Sequence, residues 1–269
     1  MISFINSIAY QQPFILFIFL GIIALLIGSF LNVIIYRLPL MMEYGNSPQK
    51  QSINLCFPRS HCPGCKQMIP AWHNIPLLSY LLLRGRCHAC RQPISWYYPT
   101  VELLCLTLSL VAAYLIGFNL TLVFALPFIW ILICLSFIDL QHQLLPDTLT
   151  LGLLWLGLIA NTQFLFASLP NAVLSAVGAY LILWVFIKLF YLCTGKIGMG
   201  HGDFKLFAAL GAWFGWQALL PIILSSSILG TIIGLIYLGI SRKTKETPIP
   251  FGPFLCISGC GYLFFTMLK

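Results

Sequence analysis

Long apolar runs, separated by short polar turns, make up most of the chain. A transmembrane helix needs about 20 consecutive apolar residues. Eight runs approach that length, and the sixth is the shortest: about 13–36, 99–117, 119–138, 148–167, 171–193, 204–217, 218–240 and 250–267. The pattern therefore predicts an all-α, polytopic membrane protein with about eight transmembrane helices, whose main surroundings are a lipid bilayer.

Composition agrees with this prediction. The chain is 60% hydrophobic and only 7% charged, whereas a soluble globular domain carries about 25% charged residues. The first run, about 13–35, is longer than the core of a signal peptide and lacks both a basic start and an A-x-A end. We therefore expect it to be retained as a spanning helix rather than cleaved.

The basic residues predict the orientation. With eight spans, thirteen of the 14 Lys and Arg residues fall on one side of the membrane, and only Lys269 falls on the other. Cytosolic loops carry the excess of Lys and Arg, so we expect this side to be cytosolic. The thirteen are Arg37, Lys50, Arg59, Lys66, Arg84, Arg86, Arg91, Lys188, Lys196, Lys205, Arg242, Lys243 and Lys245. The net charge of +8 thus indicates topology, and without a basic stripe interleaved with aromatic residues we expect no nucleic-acid partner.

A polar segment, 37–98, separates the first two runs and contains HCPGC at 61–65 and CHAC at 87–90. Each C-x-x-C pair suits a tight turn, and four thiolates can close a tetrahedron around Zn²⁺. A reducing cytosol disfavours two disulfides here. The spacing therefore predicts a cytosolic insertion with a structural zinc site, in which four sulfurs leave no position for a reacting water: Cys62, Cys65, Cys87 and Cys90.

Alternatives stay open for this segment. The cysteines can instead form a redox pair or remain unliganded, and His61 or His88 can replace one ligand. The segment is short of core residues, so a bound metal would supply stability that its apolar side chains do not. The other six cysteines lie mostly in apolar runs and are interpreted as small apolar residues: Cys56, Cys105, Cys134, Cys193, Cys256 and Cys260.

Three aspartates lie at the ends of predicted spans, where carboxylates are costly and usually functional. Asp147 follows Pro146 and precedes an apolar run, which suits a helix N-cap. Asp203 can also cap a helix. Asp139 ends the third run, where the helix dipole disfavours a negative charge and no cap explains it.

The spacing between Asp139 and Asp203 leaves room for two spanning helices, which would return the chain to the same membrane surface. Two carboxyl groups at low dielectric do not both ionise easily, so one can act as an acid and the other as a base. We interpret the pair as the catalytic residues of an amide hydrolase. The loop before Asp203 contains Gly195, Gly198, Gly200 and Gly202, which either admit a substrate backbone or serve as a flexible connector.

Long, ordered stretches of the chain strongly resemble the type IV prepilin peptidases, the leader peptidases of the GxGD aspartic class (family A24). They are GSFLNVIIYRLP at 28–39, RSHCPGC at 59–65, NIPLLSYLLLRGRC at 74–87, YPTVELL at 98–104, IDLQHQLLPDTLTL at 138–151, GMGHGDFKLFAALGAW at 198–213 and PFGPFL at 250–255. His201 and Tyr97 differ from the family's usual Tyr and Arg.

The resemblance implies a location, a reaction and a division of the chain. Asp139 and Asp203 match the family's catalytic aspartates. The implied substrates are type IV prepilins and type II secretion pseudopilins, cleaved after a Gly on the cytosolic side of the bacterial inner membrane. Many members then methylate the new N-terminus with S-adenosylmethionine, through residues that the motifs do not identify. The predicted domains are 13–118, containing the zinc-binding insertion associated with methyl transfer, and 119–269, the peptidase.

A transporter that uses membrane carboxylates is the alternative function. Transporter sites lie near the bilayer midplane, often with internal repeats, whereas Asp139 and Asp203 lie at span ends and no convincing repeat is visible. A scaffold that binds partners through its zinc segment would leave Asp139 without a role. A zinc protease is disfavoured because the sequence contains no H-E-x-x-H motif.

Overall fold

The computed structural model describes residues 13–44, 54–57, 61–62, 64–70, 75–195, 199–241 and 250–268. Within these ranges the regular structure is helical, apart from two isolated β-bridges, His61–Met68 and Arg86–Pro93. The predicted all-α class is therefore confirmed. The chain divides into two compact units, Met1–Cys134 and Leu135–Lys269.

The helices follow the order of the apolar runs. The first unit contains α1 (Pro13–Tyr44), the short α2 (Leu78–Leu82), α3 (Tyr97–Ile116) and the first part of α4 (Leu120–His142). The second unit contains the end of α4 and five further helices: α5 (Asp147–Asn161), α6 (Leu169–Thr194), α7 (His201–Phe214), α8 (Trp216–Ser241) and α9 (Gly252–Met267).

Five helices in the described ranges are long and apolar enough to cross a membrane, which supports a multi-pass membrane protein: Phe14–Glu43, Tyr97–Ile116, Leu120–His142, Leu169–Thr194 and Trp216–Tyr237. The predicted count of eight is not confirmed. The other three predicted spans contain helices of only 15, 14 and 16 residues, which are α5, α7 and α9. At 1.5 Å per residue, α7 is about 21 Å long, shorter than a hydrocarbon core of about 30 Å.

In the first unit, α1 and α3 pack closely because Gly28 has no side chain. A Cβ on Gly28 would lie 2.9 Å from the Cα of Glu102 and 3.1 Å from the Cβ of Cys105. Any larger residue would push the two helices apart. This contact lies at the middle of α1 and near the start of α3, the end of α3 that follows the cysteine-bearing segment.

The second unit is built around α7. This helix packs against α5, α6, α8 and α9, and every residue from Leu206 to Phe214 is buried. The run at 204–217 was predicted as a span because it is apolar. The run is apolar instead because other helices surround α7. Gly215, with a φ of 76°, ends the helix.

Polar groups from neighbouring helices bind the C-terminal carbonyls of α7. Asn161 Nδ2 donates to the carbonyl oxygens of Ala212 and Trp213, at 2.8 and 2.9 Å. Ser175 Oγ donates to the carbonyl oxygen of Gly211 at 2.7 Å. The carbonyl oxygen of Gly211 also accepts from the backbone N–H of Gly215 at 2.9 Å. The last carbonyls of a helix lack further intrahelical donors and would be costly to bury unpaired. The two side chains therefore allow the helix to end inside the unit.

Several residues that support the predicted orientation lie outside the described ranges. They are Lys50, Arg59, Lys196, Arg242, Lys243, Lys245 and Lys269. The cytosolic orientation of the basic loops therefore stays a prediction.

Replacing Gly157 with Ala should destabilise the second unit. A Cβ on Gly157 would lie 2.5 Å from Cδ1 of Trp213, whose ring is fully buried and whose Nε1 donates to the carbonyl oxygen of Leu153 at 2.8 Å. We expect the free energy of unfolding to fall by about 1–3 kcal/mol. The thermal unfolding midpoint of the purified chain in detergent measures this change.

Gly152→Ala is the matched control in the same helix, because a Cβ there would meet nothing within 4 Å. This variant should keep the midpoint or raise it slightly, since Ala favours a helix over Gly by about 0.5–1 kcal/mol. Equal midpoints for the two variants would contradict the close approach at Gly157.

Candidate active site and metal centre

Asp139 lies in the last turn of α4 and is 5% exposed. Its carboxyl group accepts a hydrogen bond from the backbone N–H of Gly252, the first residue of α9. A Cβ at Gly252 would lie 2.6 Å from Asp139 Oδ2. Only glycine allows the backbone to come this close, so the start of α9 is fitted to the carboxyl group of Asp139.

Asp203 is the third residue of α7 and is 8% exposed. The N-cap residue is Gly200, so Asp203 is not itself the N-cap. Its carboxyl group instead accepts a hydrogen bond from the backbone N–H of Gly200, as the acidic residue of a capping box does. Gly200 has no side chain to complete such a pair, so the prediction that Asp203 itself caps the helix is wrong.

The structure brings the two aspartates into one neighbourhood of the second unit. The side chain of Leu145 packs against the backbone next to each aspartate. A Cβ added at Gly202 would lie 2.8 Å from the Cβ of Leu145, and a Cβ added at Gly252 would lie 3.2 Å from its Cδ1. The two carboxyl groups are within electrostatic range of each other. The thiol of Cys256 on α9 is within range of both.

Each aspartate has one buried oxygen without a hydrogen-bond partner in the described part of the chain, Asp139 Oδ2 and Asp203 Oδ1. Buried polar atoms in native proteins are almost always paired, so such an exception needs an explanation. Two carboxyl groups within electrostatic range of each other, each with an oxygen free of other partners in the described part of the chain, can bind a water and exchange protons with it. This chemistry suits hydrolysis.

The capping interpretation of Asp147 is wrong. Asp147 is the first residue of α5, the N-cap is Pro146, and no side-chain cap is present. The Asp147 carboxylate instead accepts two hydrogen bonds from Lys205 Nζ, at 2.6 and 2.7 Å, and its side chain is 59% exposed. This ion pair ties the start of α5 to a residue just after Asp203.

The glycines before Asp203 have mainly structural roles. Gly195 ends α6 with a φ of 69°, Gly202 allows the contact with Leu145, and Gly200 is the N-cap of α7. Gly198 lies outside the described ranges. The neighbouring His201 packs its ring edge-on against Phe204, with the centroids 5.5 Å apart. The contact with Leu145 therefore explains Gly202, and the left-handed backbone at the end of α6 explains Gly195.

In the first unit, the two C-x-x-C segments form matching turns. Cys62 N–H donates to the carbonyl oxygen of Gln67, and Cys87 N–H donates in the same way to that of Gln92, at 3.0 and 2.9 Å. The residue after the second cysteine of each pair, Lys66 or Arg91, has a φ of 58°. This repeated geometry aims both pairs of sulfurs at one point.

The four sulfur atoms of Cys62, Cys65, Cys87 and Cys90 lie within 4.8 Å of one another, and those of Cys62 and Cys90 are 3.7 Å apart. Zinc–sulfur bonds of about 2.3 Å in a tetrahedron require sulfurs about 3.8 Å apart. The sulfurs therefore fit a metal without help from a histidine. The backbone N–H groups of Cys65 and Gly64 lower the pKa of the Cys62 thiol to about 6. The backbone N–H of Gln92 lowers the pKa of the Cys90 thiol, but burial and the three neighbouring thiols outweigh it and raise this pKa to about 11. Cys62 is therefore the thiol of the cluster that ionises most easily.

Three further polar residues are buried beside this cluster and were not among the candidates predicted from the sequence. They are Asn32 and Arg37 on α1 and Glu102 on α3, at 8%, 7% and 8% exposure. One signal was available for Glu102: it lies inside a predicted span, 99–117, where a carboxylate is costly. All three line a single cavity of about 660 Å³.

Comparisons with known proteins agree with this two-part organisation. Residues 22–116 match the model of the bacterial peptidase A24 N-terminal domain. Residues 126–235 match the model of the type IV leader peptidase family. The cysteine cluster lies in the first match, and both aspartates lie in the second. No solved structure matches the chain.

Several proteins named prepilin leader peptidase/N-methyltransferase are similar along most of their length. The one from Legionella pneumophila is 57% identical over 95% of this chain and 93% of its own length. Those from Stutzerimonas stutzeri and Pseudomonas aeruginosa are 50% and 49% identical, each over 88% of this chain and 86% of its own length. From these similarities, the chain belongs to the type IV leader peptidase family.

Proposed function

We propose that the chain is a membrane aspartyl endopeptidase that removes the leader peptides of type IV prepilins and type II secretion pseudopilins, cutting after a Gly. It then methylates the new N-terminus, with S-adenosylmethionine as methyl donor. Asp139 and Asp203 are the catalytic pair. The enzyme is a multi-pass protein of the bacterial inner membrane, with its catalytic side and its zinc-binding segment in the cytosol.

The observation that carries the proposal is the pair of buried carboxyl groups with one unpartnered oxygen each. Each group is held from one side by a backbone N–H, from Gly252 or Gly200. This arrangement fixes the carboxyl groups and leaves their other oxygens for a reacting water. A transporter needs carboxylates on a path through the membrane, and nothing in the comparisons supports that alternative.

The proposed chemistry needs only the two aspartates and a water. Two carboxyl groups in one low-dielectric site share a proton. The ionised aspartate takes a proton from the water, and the resulting hydroxide attacks the amide carbonyl carbon. The protonated aspartate donates its proton to the departing nitrogen. The pair thus supplies both an acid and a base, with no metal needed at the scissile bond.

The cysteine cluster is proposed to hold a structural Zn²⁺ through Cys62, Cys65, Cys87 and Cys90. Four thiolates saturate a tetrahedral zinc, so the metal would stabilise the segment rather than activate a water. The segment also contributes to methyl transfer, for which S-adenosylmethionine supplies an electrophilic methyl group. Zinc loss is therefore expected to affect methyl transfer through the fold of this segment.

Asp139→Asn and Asp203→Asn should each lower the rate of prepilin cleavage by at least about 100-fold. Each change removes a proton-transferring group but keeps its size, and general acid–base catalysis contributes about 100- to 10,000-fold. The rate is measured with purified enzyme and prepilin in liposomes, by the mass of the product. Full cleavage by either variant would disprove the catalytic pair.

Asp147→Asn is the matched control. It removes the same charge from the same unit, but its ion pair with Lys205 is largely exposed and worth about 0–1 kcal/mol. This variant should cleave at a rate close to that of the unmodified chain. If the cleavage rate of this variant fell as far as that of Asp139→Asn and Asp203→Asn, the loss would not be specific to the proposed catalytic pair.

Replacing Cys62 and Cys87 together with Ser should abolish metal binding. The purified chain should contain about one zinc per molecule, and two remaining thiolates cannot complete a tetrahedral site. Elemental analysis of protein purified without chelators measures this ratio. The control replaces Cys56 and Cys193, which are exposed and outside the cluster, and should retain zinc. Stoichiometric zinc in the Cys62/Cys87 variant would mean that other ligands hold the metal.

A further inference from the structure

A cavity of about 660 Å³ lies in the first unit, between the connected ends of α1 and α3 and the two cysteine turns. Sites that enclose cofactor-sized molecules usually measure about 300–1,000 Å³. The cavity is thus large enough for a nucleoside with an amino-acid side arm. Its lining residues all belong to the first unit, which does not contain the catalytic aspartates.

The cavity combines both signs of charge on buried side chains. Glu102 is in the first turns of α3, and its Oε2 accepts a hydrogen bond from the backbone N–H of Leu77 at 2.8 Å. Ser29 on α1 also hydrogen-bonds the Glu102 carboxyl group. Arg37 is fixed by hydrogen bonds from its Nη1 to the carbonyl oxygens of Asn54 and Leu55, at 2.9 and 3.2 Å. Burying the Glu102 carboxylate is costly, and a bound cationic group would offset that cost.

Aromatic rings line the same cavity. Tyr36 lies next to Arg37 on α1, Tyr98 is in the first turn of α3, and Tyr80 lies on α2 with its ring against Trp96. Asn32 Nδ2 donates to the carbonyl oxygen of Tyr98 at 3.1 Å and so joins the two long helices at this wall. Aromatic faces bind alkylated cations and stack on flat heterocycles.

The cysteine turns form the opposite wall. Cys62, Cys87 and the neighbouring His61 and His88 are among the lining residues. The cysteine cluster therefore forms part of the cavity wall, although its four sulfur atoms converge on one point as metal ligands.

We propose that this cavity is the methyl-donor site, in which Glu102 faces the cationic groups of S-adenosylmethionine, Arg37 its carboxylate, and the tyrosines its sulfonium and adenine. The inference rests on the proposed function and locates its methyl-transfer half. S-adenosylmethionine carries a sulfonium, an ammonium, a carboxylate and a purine, and the cavity offers a counterpart for each. When bound, S-adenosylmethionine supplies the methyl group. The N-terminal amine of the peptide first loses a proton to water, and its lone pair then forms the new N–C bond. The bond between the methyl group and sulfur breaks at the same time, and its electron pair stays on sulfur.

Equilibrium binding of S-adenosylmethionine and S-adenosylhomocysteine to the full chain in nanodiscs tests the site without methyl transfer. Glu102→Gln removes the charge but keeps an oxygen that can accept from Leu77. We expect it to weaken S-adenosylmethionine at least about 10-fold, as loss of a charge-assisted contact does. Weakening of both ligands would place Glu102 at the ammonium, and weakening of S-adenosylmethionine alone would place it at the sulfonium. Unchanged affinity for both would overturn the proposal.

Glu43→Gln is the matched control, because Glu43 is an exposed acid on α1 that does not line the cavity. It should bind both ligands like the unmodified chain. An equal loss in this variant would show that net charge, rather than the cavity, governs affinity, and would overturn the assignment. The zinc content of each preparation reports whether the first unit has folded, because the cysteine cluster lies in that unit.

Ultraviolet cross-linking of radiolabelled S-adenosylmethionine to the unmodified chain decides the location even if Glu102→Gln does not fold. Label in peptides containing 29–40 or 92–102 would support the cavity, and label confined to 135–269 would overturn it. If the unmodified chain cleaves prepilin but binds neither ligand, the methyl-transfer half of the proposed function is wrong, and the cavity assignment with it. If it binds but cross-links elsewhere, only the location is wrong.

Discussion

A 14-residue helix buried among four others is the constraint on which the second unit depends. Within a membrane, a helix that ends inside protein must have its terminal backbone groups bound by other side chains. Asn161 and Ser175 provide this for the last carbonyls of α7, and Trp213 locks the helix to α5 through Leu153. With its far end fixed, the first turn of α7, which carries Asp203, has a defined position.

The same principle explains how the two aspartates are held. Neither carboxyl group has a basic partner among the described residues; each accepts instead from a backbone N–H, at Gly200 or Gly252. A backbone donor fixes a carboxyl group without adding a counter-charge that would keep it permanently ionised. Glycine is required at position 252, where a Cβ would lie 2.6 Å from Asp139 Oδ2, whereas a Cβ at position 200 would lie 3.6 Å from Asp203 Oδ2, an ordinary contact. A positioned and unpaired carboxyl pair is what proton transfer in both directions requires.

Local patterns predicted the features that local chemistry determines. The five longest helices follow from run length alone, and the cysteine cluster follows from two C-x-x-C turns that each fold by themselves. The helices α5, α7 and α9 were predicted as full membrane spans, because an apolar run does not show whether lipid or protein covers it. Asp147 was misassigned because its partner, Lys205, is 58 residues away in the sequence.

Burial separates the acidic residues of this chain more clearly than their sequence context does. Glu43 and Asp147 are exposed, and Asp147 forms a surface ion pair with Lys205. Asp139, Asp203 and Glu102 are each less than 9% exposed, and each accepts from a backbone N–H. Keeping a carboxyl group out of water in a chain with only six acidic residues is unfavourable unless something later binds there. The aspartate pair suits a water and an amide, and Glu102, which lines the same cavity as Arg37, suits a ligand that carries its own charges.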